Sequence, residues 1–277
     1  MNKIIAFVDG SLYSASVCGL AAWAAQRLEA GVDIIHVIGR REAQPGGPLG
    51  ARSGLQAELA ALDTQRARLV EMRGTAILED AGQLVRDGGI SAVTTEVVHG
   101  DLLATLAQRE QEAALVLIGK RGEAADYAIG HLGSNLERIV RTATKPVLVA
   151  ARAYRPVQKL LIAHDGGAAS LRVIDHIAQS PLFAGLTALV VHVGPSMPEI
   201  TRRLAEAEKQ LRAAGLKAST RIVQGQADAA LGRLVDEEGF DLLAMGAFNH
   251  SRIRSLLIGS TTAAVIHSCR VPVLMLR

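Results

Sequence analysis

Residues 3–10 read Lys-Ile-Ile-Ala-Phe-Val-Asp-Gly, and residues 159–166 repeat the pattern as Lys-Leu-Leu-Ile-Ala-His-Asp-Gly. The aspartates of the two segments lie 156 residues apart, and His36 and His192 have the same separation. Repetition at a fixed offset is typical of a duplicated structural unit. The sequence therefore indicates two tandem copies of one unit.

Later landmarks recur at smaller offsets. Residues 97–100 (VVHG) match 222–225 (IVQG), and residues 145–149 (KPVLV) match 270–275 (RVPVLM). The offset shrinks because the first copy carries an extra Gly/Pro-rich stretch at 39–54, which a longer helix follows. We interpret the chain as one duplicated domain with an insertion in its first copy.

The fold class follows from short Val-, Ile- and Leu-rich runs that alternate with stretches of helical periodicity. Helices are predicted at 14–30, 55–87 and 198–214, and strands at 3–8, 32–38, 92–98, 114–118, 146–150, 158–164, 187–193, 217–223, 241–245 and 272–276. This alternation predicts α/β architecture: two tandem Rossmann-like domains, each a five-stranded parallel sheet with helices on both faces.

The domains are predicted at 1–150 and 158–277, with a linker at 151–157. The last strand of each copy is a sheet edge, and exposed edges tend to be covered. The two edge strands, 146–150 and 272–276, are therefore natural pairing elements, which would form an internal pseudo-dimer.

Composition excludes several function classes. Aromatic residues make up 3% of the chain, which is too few for stacking platforms that bind single-stranded nucleic acid. The net charge of +3 is too small to indicate duplex DNA binding, although the first 150 residues carry −2 and the remainder +5. No apolar run is long enough to span a membrane. Cys18 and Cys269 are expected to be packed, reduced thiols in a cytoplasmic protein.

Ligands of open α/β sheets bind beyond the carboxyl ends of the strands. In each copy an aspartate follows the first strand, and a Gly-rich loop follows the fourth. The loops run from Gly119 to residues 133–134 (GS), and from Gly246 to residues 259–261 (GST), where each enters a helix. Such a helix start can bind an anion, or it can be an ordinary cap, and Ser134 with Glu137 fits a capping box. Two long loops with the same ending favour phosphate binding.

These motifs resemble those of the universal stress proteins, in the tandem form with two family domains in one chain. The shared features cover nearly the whole chain, and the most specific is the loop of Gly, two residues, Gly, nine residues, Gly and Ser or Thr. The resemblance implies an adenine nucleotide alpha hydrolase-like fold. It also implies a stress-response protein that binds ATP or AMP, with Mg²⁺ as a possible companion, and hydrolyses ATP slowly at most.

The resemblance also assigns the binding residues. Asp9 and Asp165 would contact ribose, and the backbones of Val37 and Val193 would contact adenine. The phosphates would be held by Gly119, Gly122, Gly133 and Ser134 in the first copy, and by Gly246, Asn249, Gly259, Ser260 and Thr261 in the second.

Both loops depart from the family pattern. The first has one residue too many before Gly133, and the second has Asn249 in place of the second glycine. Spacing and local charge favour the second copy as the nucleotide site. Arg252 and Arg254 lie within its loop, where they either contact phosphate oxygens or are solvated.

Other chemistry lacks its motifs. The chain contains neither Gly-x-Ser-x-Gly nor a complete Gly-x4-Gly-Lys-Ser/Thr loop, and its histidines do not pair at metal-ligand spacing. We therefore predict no catalytic residue and no metal site, and assign His36 and His192 to backbone hydrogen bonds. One alternative is a nucleotide-free tandem scaffold that acts through an unidentified protein partner, which can be a second copy of the chain in a homodimer. A more remote alternative is an enzyme that uses ATP as substrate.

Overall fold

The computed structural model describes residues 3–39, 53–122, 134–247 and 260–277. Its strands are β1 (Lys3–Phe7), β2 (Gly31–Ile38), β3 (Val93–His99), β4 (Ala113–Gly119), β5 (Val147–Ala150), β6 (Lys159–Ala163), β7 (Thr187–Val193), β8 (Lys217–Val223), β9 (Leu242–Gly246) and β10 (Val273–Leu276). Its helices are α1 (Ser14–Leu28), α2 (Ser53–Asp87), α3 (Leu102–Arg109), α4 (Ser134–Thr142), α5 (Ala168–Gln179), α6 (Pro198–Ala213), α7 (Ala227–Glu238) and α8 (Ser260–Ser268).

The strands form one sheet in the order β3-β2-β1-β4-β5-β10-β9-β6-β7-β8. All neighbours are parallel except β5 and β10, which pair antiparallel with Leu148 opposite Leu274. The predicted fold class is confirmed, since each half contributes a five-stranded parallel array. The predicted pairing of the two edge strands is present, and it joins the two arrays into one sheet. The exact domain boundaries stay a prediction.

Helices cover both faces because the buried strands present apolar side chains to each side. In β1, Ile4 and Ala6 contribute to one core, while Ile5 and Phe7 contribute to the other. The first core packs under α1, α2, α5 and α6, and the second under α3, α4, α7 and α8. This alternation is what a parallel sheet buried on both faces requires.

Both cysteines are buried, as predicted, and neither forms a disulfide. Burial raises the pKa of the Cys18 thiol to about 12, which keeps it protonated and unreactive. None of the helices in the described ranges is long and apolar enough to cross a bilayer.

The strand pair that joins the halves leads to a stability prediction. Leu148 and Leu274 are fully buried and lie opposite each other across β5 and β10. We expect Leu148→Ala to lower the free energy of unfolding by about 2–5 kcal/mol, because it leaves a cavity in a packed core. Leu171→Ala on α5, where the side chain is 41% exposed, should change it by no more than about 0.5 kcal/mol. Urea unfolding monitored by circular dichroism measures both, and equal effects would contradict the proposed role of this pair.

Candidate functional site

Three parallel strands bring their carboxyl ends to one edge of the first half, where β1 lies between β2 and β4. A cavity of about 290 Å³ opens there. Four residues assigned by resemblance line it, namely Asp9, Val37, Gly119 and Gly122. The cavity therefore occupies the position where the strand order reverses, which is where open α/β sheets bind ligands.

The first turn of α4 closes another side of this cavity. Asn135 and Leu136 line it, directly after Ser134, which is the first residue of the helix. Gly133 lies outside the described residues. The start of α4 and the turn after β1 thus line the same cavity, and backbone N–H groups of a helix N-terminus are donors that an anion can use.

The turn after β1 is held by its own side chains. Asp9 accepts a hydrogen bond through Oδ1 from the backbone N–H of Ser11, at 3.0 Å. Ser14, the first residue of α1, accepts through Oγ from the backbone N–H of Asp9 at 3.3 Å and of Gly10 at 3.1 Å. Gly10 has φ +77°, a conformation that few residues other than glycine adopt. These bonds fix the direction of the Asp9 carboxylate.

The loop after β4 approaches this turn too closely for side chains. A Cβ on Gly122 would lie 2.9 Å from Oδ2 of Asp9, and a Cβ on Gly119 would lie 2.8 Å from Cβ of Tyr13. The hydroxyl of Ser11 donates to the carbonyl of Arg121 at 3.4 Å. The backbone of the predicted phosphate loop therefore lies directly against Asp9, the residue predicted to contact ribose.

Two charged residues of the rim were not predicted as ligands. Asp101 follows β3 and caps α3, accepting from the backbone N–H of Ala104 at 3.1 Å and of Leu103 at 2.9 Å. These bonds, with Arg138 3.4 Å away, lower the pKa of its carboxyl. Arg121 also lines the cavity. The sequence does carry a signal for Asp101. Like Asp9, it is an aspartate that follows a strand at the carboxyl edge of the sheet, here in a Gly-Asp pair before a helix.

Lys120, in the loop after β4, forms hydrogen bonds to the second half of the chain. Its Nζ donates to the carbonyls of His267 at 2.7 Å and Cys269 at 2.9 Å, at the end of α8. Burial lowers the pKa of Lys120 to about 8. A cation at this place stabilises a helix C-terminus, where carbonyl groups lack partners within the helix.

The second copy repeats part of this arrangement. Asp165 follows β6 and accepts through Oδ1 from the backbone N–H of Gly167 at 2.8 Å, while Val193 ends β7. A Cβ on Gly246 would lie 2.7 Å from Cβ of Ala169. Asn249 and Gly259 lie outside the described residues, as do the two loop arginines, 252 and 254. Residues 260–261 begin α8, and their side chains are not described.

The two repeated histidines support the sheet edge. His36 bonds through Nδ1 to the carbonyl of Val8, and His192 bonds through Nδ1 to the carbonyl of His164, both at 2.9 Å. This is the backbone role predicted for them. It holds the turn that carries the aspartate in each copy.

His164 replaces the apolar Val8 of the first copy and is only 2% exposed. Its Nδ1 accepts from the backbone N–H of Gly166 at 3.2 Å, which assigns the proton of the neutral ring to Nε2. That Nε2 has no hydrogen-bond partner among the described residues. Burial lowers the pKa of His164, because the charged ring would lose its hydration.

The sequence profile described as the universal stress protein family matches residues 1–151 and 197–277. The chain belongs to this family. It is 34% identical to a universal stress protein of Synechocystis sp. over 287 aligned residues that cover all of both chains. It is 25% identical to one of Mycobacterium tuberculosis over 304 residues, which cover 99% of this chain and 94% of that protein.

Solved universal stress proteins share the complete fold. One from Archaeoglobus fulgidus superposes with a TM-score of 0.71 at 18% identity, covering 100% of this chain and 98% of that one. One from Pseudomonas aeruginosa gives 0.65 at 20% identity, covering 100% and 93%. At these identities the likeness concerns the fold.

The buried histidine predicts a pH dependence of stability. The folded-state pKa of His164 lies below the ordinary value of 6.5, so on acidification the unfolded chain takes up a proton that the folded chain excludes. The free energy of unfolding should therefore fall as the pH drops below 6.5, by at most about 1.4 kcal/mol per pH unit for one proton. His164→Val, the residue of the first copy, should flatten this slope.

His176 is a second histidine whose pKa burial lowers, so part of the slope should remain in the variant. Chemical unfolding at a series of pH values, for the parent and His164→Val, measures the difference. Parallel pH profiles would show that His164 is protonated as readily in the folded protein as in the unfolded chain.

Proposed function

We propose that the cavity of the first half binds an adenine nucleotide, ATP or AMP, and that the protein acts in the cytoplasm as a nucleotide-responsive stress protein. At most it hydrolyses ATP slowly. The observation that carries the proposal is the approach of Gly122 to within side-chain contact of the Asp9 carboxylate. It brings a ribose acceptor and a glycine-rich loop together at one cavity.

The residues present fit such a ligand. The carboxylate of Asp9 can accept hydrogen bonds from ribose hydroxyls, and the backbone of Val37 at the end of β2 can bind adenine. Gly119, Gly122, Gly133 and Ser134 would hold the phosphates through backbone N–H groups, and a triphosphate would bring Mg²⁺ with it. The cavity volume of about 290 Å³ lies just below the range for small-molecule sites, roughly 300–1,000 Å³.

The second half is proposed as a second site of the same kind, built from Asp165, Val193, Gly246, Asn249, Gly259, Ser260 and Thr261. Its spacing follows the family loop, and its half of the chain carries the positive charge excess. The alternative function is a nucleotide-free scaffold that acts through protein partners. The extra residue before Gly133 and the asparagine at position 249 favour it, because each alters the loop that would hold phosphates.

The first experiment is to denature freshly purified protein that has seen no added nucleotide, and to quantify the adenine nucleotides released. One nucleotide per chain would indicate one working site, and two would indicate both. No released nucleotide, together with no binding when ATP is titrated into the protein, would contradict the proposal and leave the scaffold. Turnover well above a slow background would revive an ATP-consuming enzyme.

Gly122→Ala tests the first loop. The added methyl group would meet Oδ2 of Asp9 at 2.9 Å, so we expect ATP affinity to fall about tenfold or more, equivalent to about 1.4 kcal/mol. The matched control is Gly232→Ala on α7, where a Cβ meets nothing within 4 Å. Isothermal titration calorimetry measures both variants. Equal affinities in the two would show that nucleotide does not bind at Gly122.

Asp9→Asn tests the ribose contact. Asparagine keeps an oxygen for the N–H of Ser11 but loses the negative charge, and charge-assisted hydrogen bonds are roughly twice as strong as neutral ones. We expect the parent to bind ATP more tightly than 2′-deoxy-ATP, and the variant to lose most of this preference. An unchanged preference in the variant would place the ribose elsewhere.

A further inference from the structure

The first part of α2 exposes large apolar side chains on a helix that is otherwise polar. Residues 57–73, here called the α2 arm, carry Leu59, Leu62, Leu69, Val70 and Met72, which are between 38% and 58% exposed. Scattered exposed apolar residues are ordinary, but a concentration of them on one short segment indicates an interaction surface.

These leucines are not a continuation of the face that packs on the sheet. Leu69 and the buried Leu78 are nine residues apart, about two and a half helical turns, so they lie on opposite sides of α2. Leu59, Leu62 and Leu69 are spaced by three and seven residues, which places them on one stripe. This spacing follows the three-and-four repeat of a seam between two helices, with Arg66 at the remaining position between Leu62 and Leu69.

The α2 arm extends beyond the carboxyl edge of the sheet. Gly74 lies level with the end of β2, since its Cβ would be 2.9 Å from Cδ2 of His36. Glu71 pairs with His99 at the end of β3, at 2.8 Å between Oε2 and Nε2. Residues 57–70 therefore project past the strand ends, by about 20 Å at 1.5 Å per residue.

This projection belongs to the first copy alone. In the second half the equivalent helix begins at Pro198, and its Ile200 already lies against Gly166 at the strand edge. The offset between the copies falls from 156 at His36 to 125 at Gly100, so the first copy carries 31 additional residues. The insertion supplies the leucine stripe and the connection that leads to it.

Charge along the α2 arm identifies what fits the stripe. Its first half carries Glu58 and Asp63, and its second half carries Arg66, Arg68 and Arg73, with one acidic residue at position 71. An identical arm in antiparallel orientation places the acidic half of each helix beside the basic half of the other. Parallel packing would place like charges side by side, which costs stability.

The preceding segment of the same chain is a poorer occupant. Residues 40–52 contain one large apolar residue, Leu49, together with three glycines and two prolines. This composition supplies neither a helical stripe nor enough apolar surface to cover five large side chains.

We propose that the α2 arm is a self-association surface, on which the arm of a second copy packs antiparallel through Leu59, Leu62 and Leu69. The contact is about 25 Å long, less than three heptads. The dimer is therefore expected to form reversibly with concentration. Each arm projects from the edge where its cavity opens and the two arms point in opposite directions, so the two first-half cavities face each other across the contact.

Sedimentation velocity of the full chain over a wide concentration range tests the proposal, with Leu62→Lys/Leu69→Lys as the variant. Lysine maintains helix propensity. We expect the dimer dissociation constant to rise about a hundredfold or more, because charges replace two leucines of each chain that the dimer would bury. The control is Leu171→Lys, at an apolar position on α5 that is 41% exposed. It should dimerise like the parent, and thermal unfolding verifies that both variants are folded.

The antiparallel orientation of the two arms is tested with variants in which the α2 arm carries charges of mainly one sign. Glu58→Arg/Asp63→Arg makes the arm basic, and Arg66→Glu/Arg68→Glu makes it acidic. Each variant alone should dimerise more weakly than the parent, and an equimolar mixture should recover dimer as the heterodimer. Neither result depends on bound nucleotide.

Three outcomes would overturn the proposal. A parent chain that stays monomeric at every concentration would assign the stripe to a different partner. A dimer that survives Leu62→Lys/Leu69→Lys would place the interface elsewhere. Charge variants that each dimerise like the parent would contradict the antiparallel arrangement.

Discussion

Parallel pairing of β1 with both β2 and β4 is the constraint on which the candidate site depends. Ala6 lies opposite Ile34 on one side and Leu117 on the other, so the three strands end at the same edge. The Asp9 turn and the Gly119 loop therefore emerge side by side. A slip of one residue would exchange the two apolar faces of β1 and would cost both cores. The burial that stabilises the sheet thus also sets the geometry of the cavity.

The two copies share the hydrogen bonds that support this edge but differ in the side chains beside it. The Nδ1 contacts of His36 and His192 to the turn carbonyls have the same length in both copies. The residue that supplies the carbonyl differs, since Val8 is apolar and His164 carries an N–H without a partner among the described residues. The longer α2 changes the first edge further. The framework and the edge have therefore diverged to different extents.

The sequence predicted the strands to within one residue at each end, because a buried parallel strand requires an apolar run bounded by residues that break it. It also located the turns and loops that line the cavity. Asp101 was not predicted although the Gly-Asp pair before α3 marks it, whereas the sequence holds no signal for the place of Lys120. The position of Lys120 depends on contacts between residues almost 150 positions apart, and periodicity carries no information about such contacts. The ligand roles of all the assigned site residues stay predictions, and Gly133, Asn249 and Gly259 also lie outside the described residues.

Contacts between the two halves also involve α4 and α8, the helices that follow the two candidate phosphate loops and are here called the loop helices. Lys120, from the first half, donates to the carbonyls of His267 and Cys269 at the end of α8. Arg277, from the second half, donates to the carbonyl of Arg141 in the last turn of α4, at 2.9 Å. Each loop helix therefore begins at a candidate phosphate loop and ends on a cation from the opposite half, which complements the negative end of its dipole. Because the β5–β10 pair joins the two halves and these hydrogen bonds cross between them, the position of each loop helix depends on the other half of the chain.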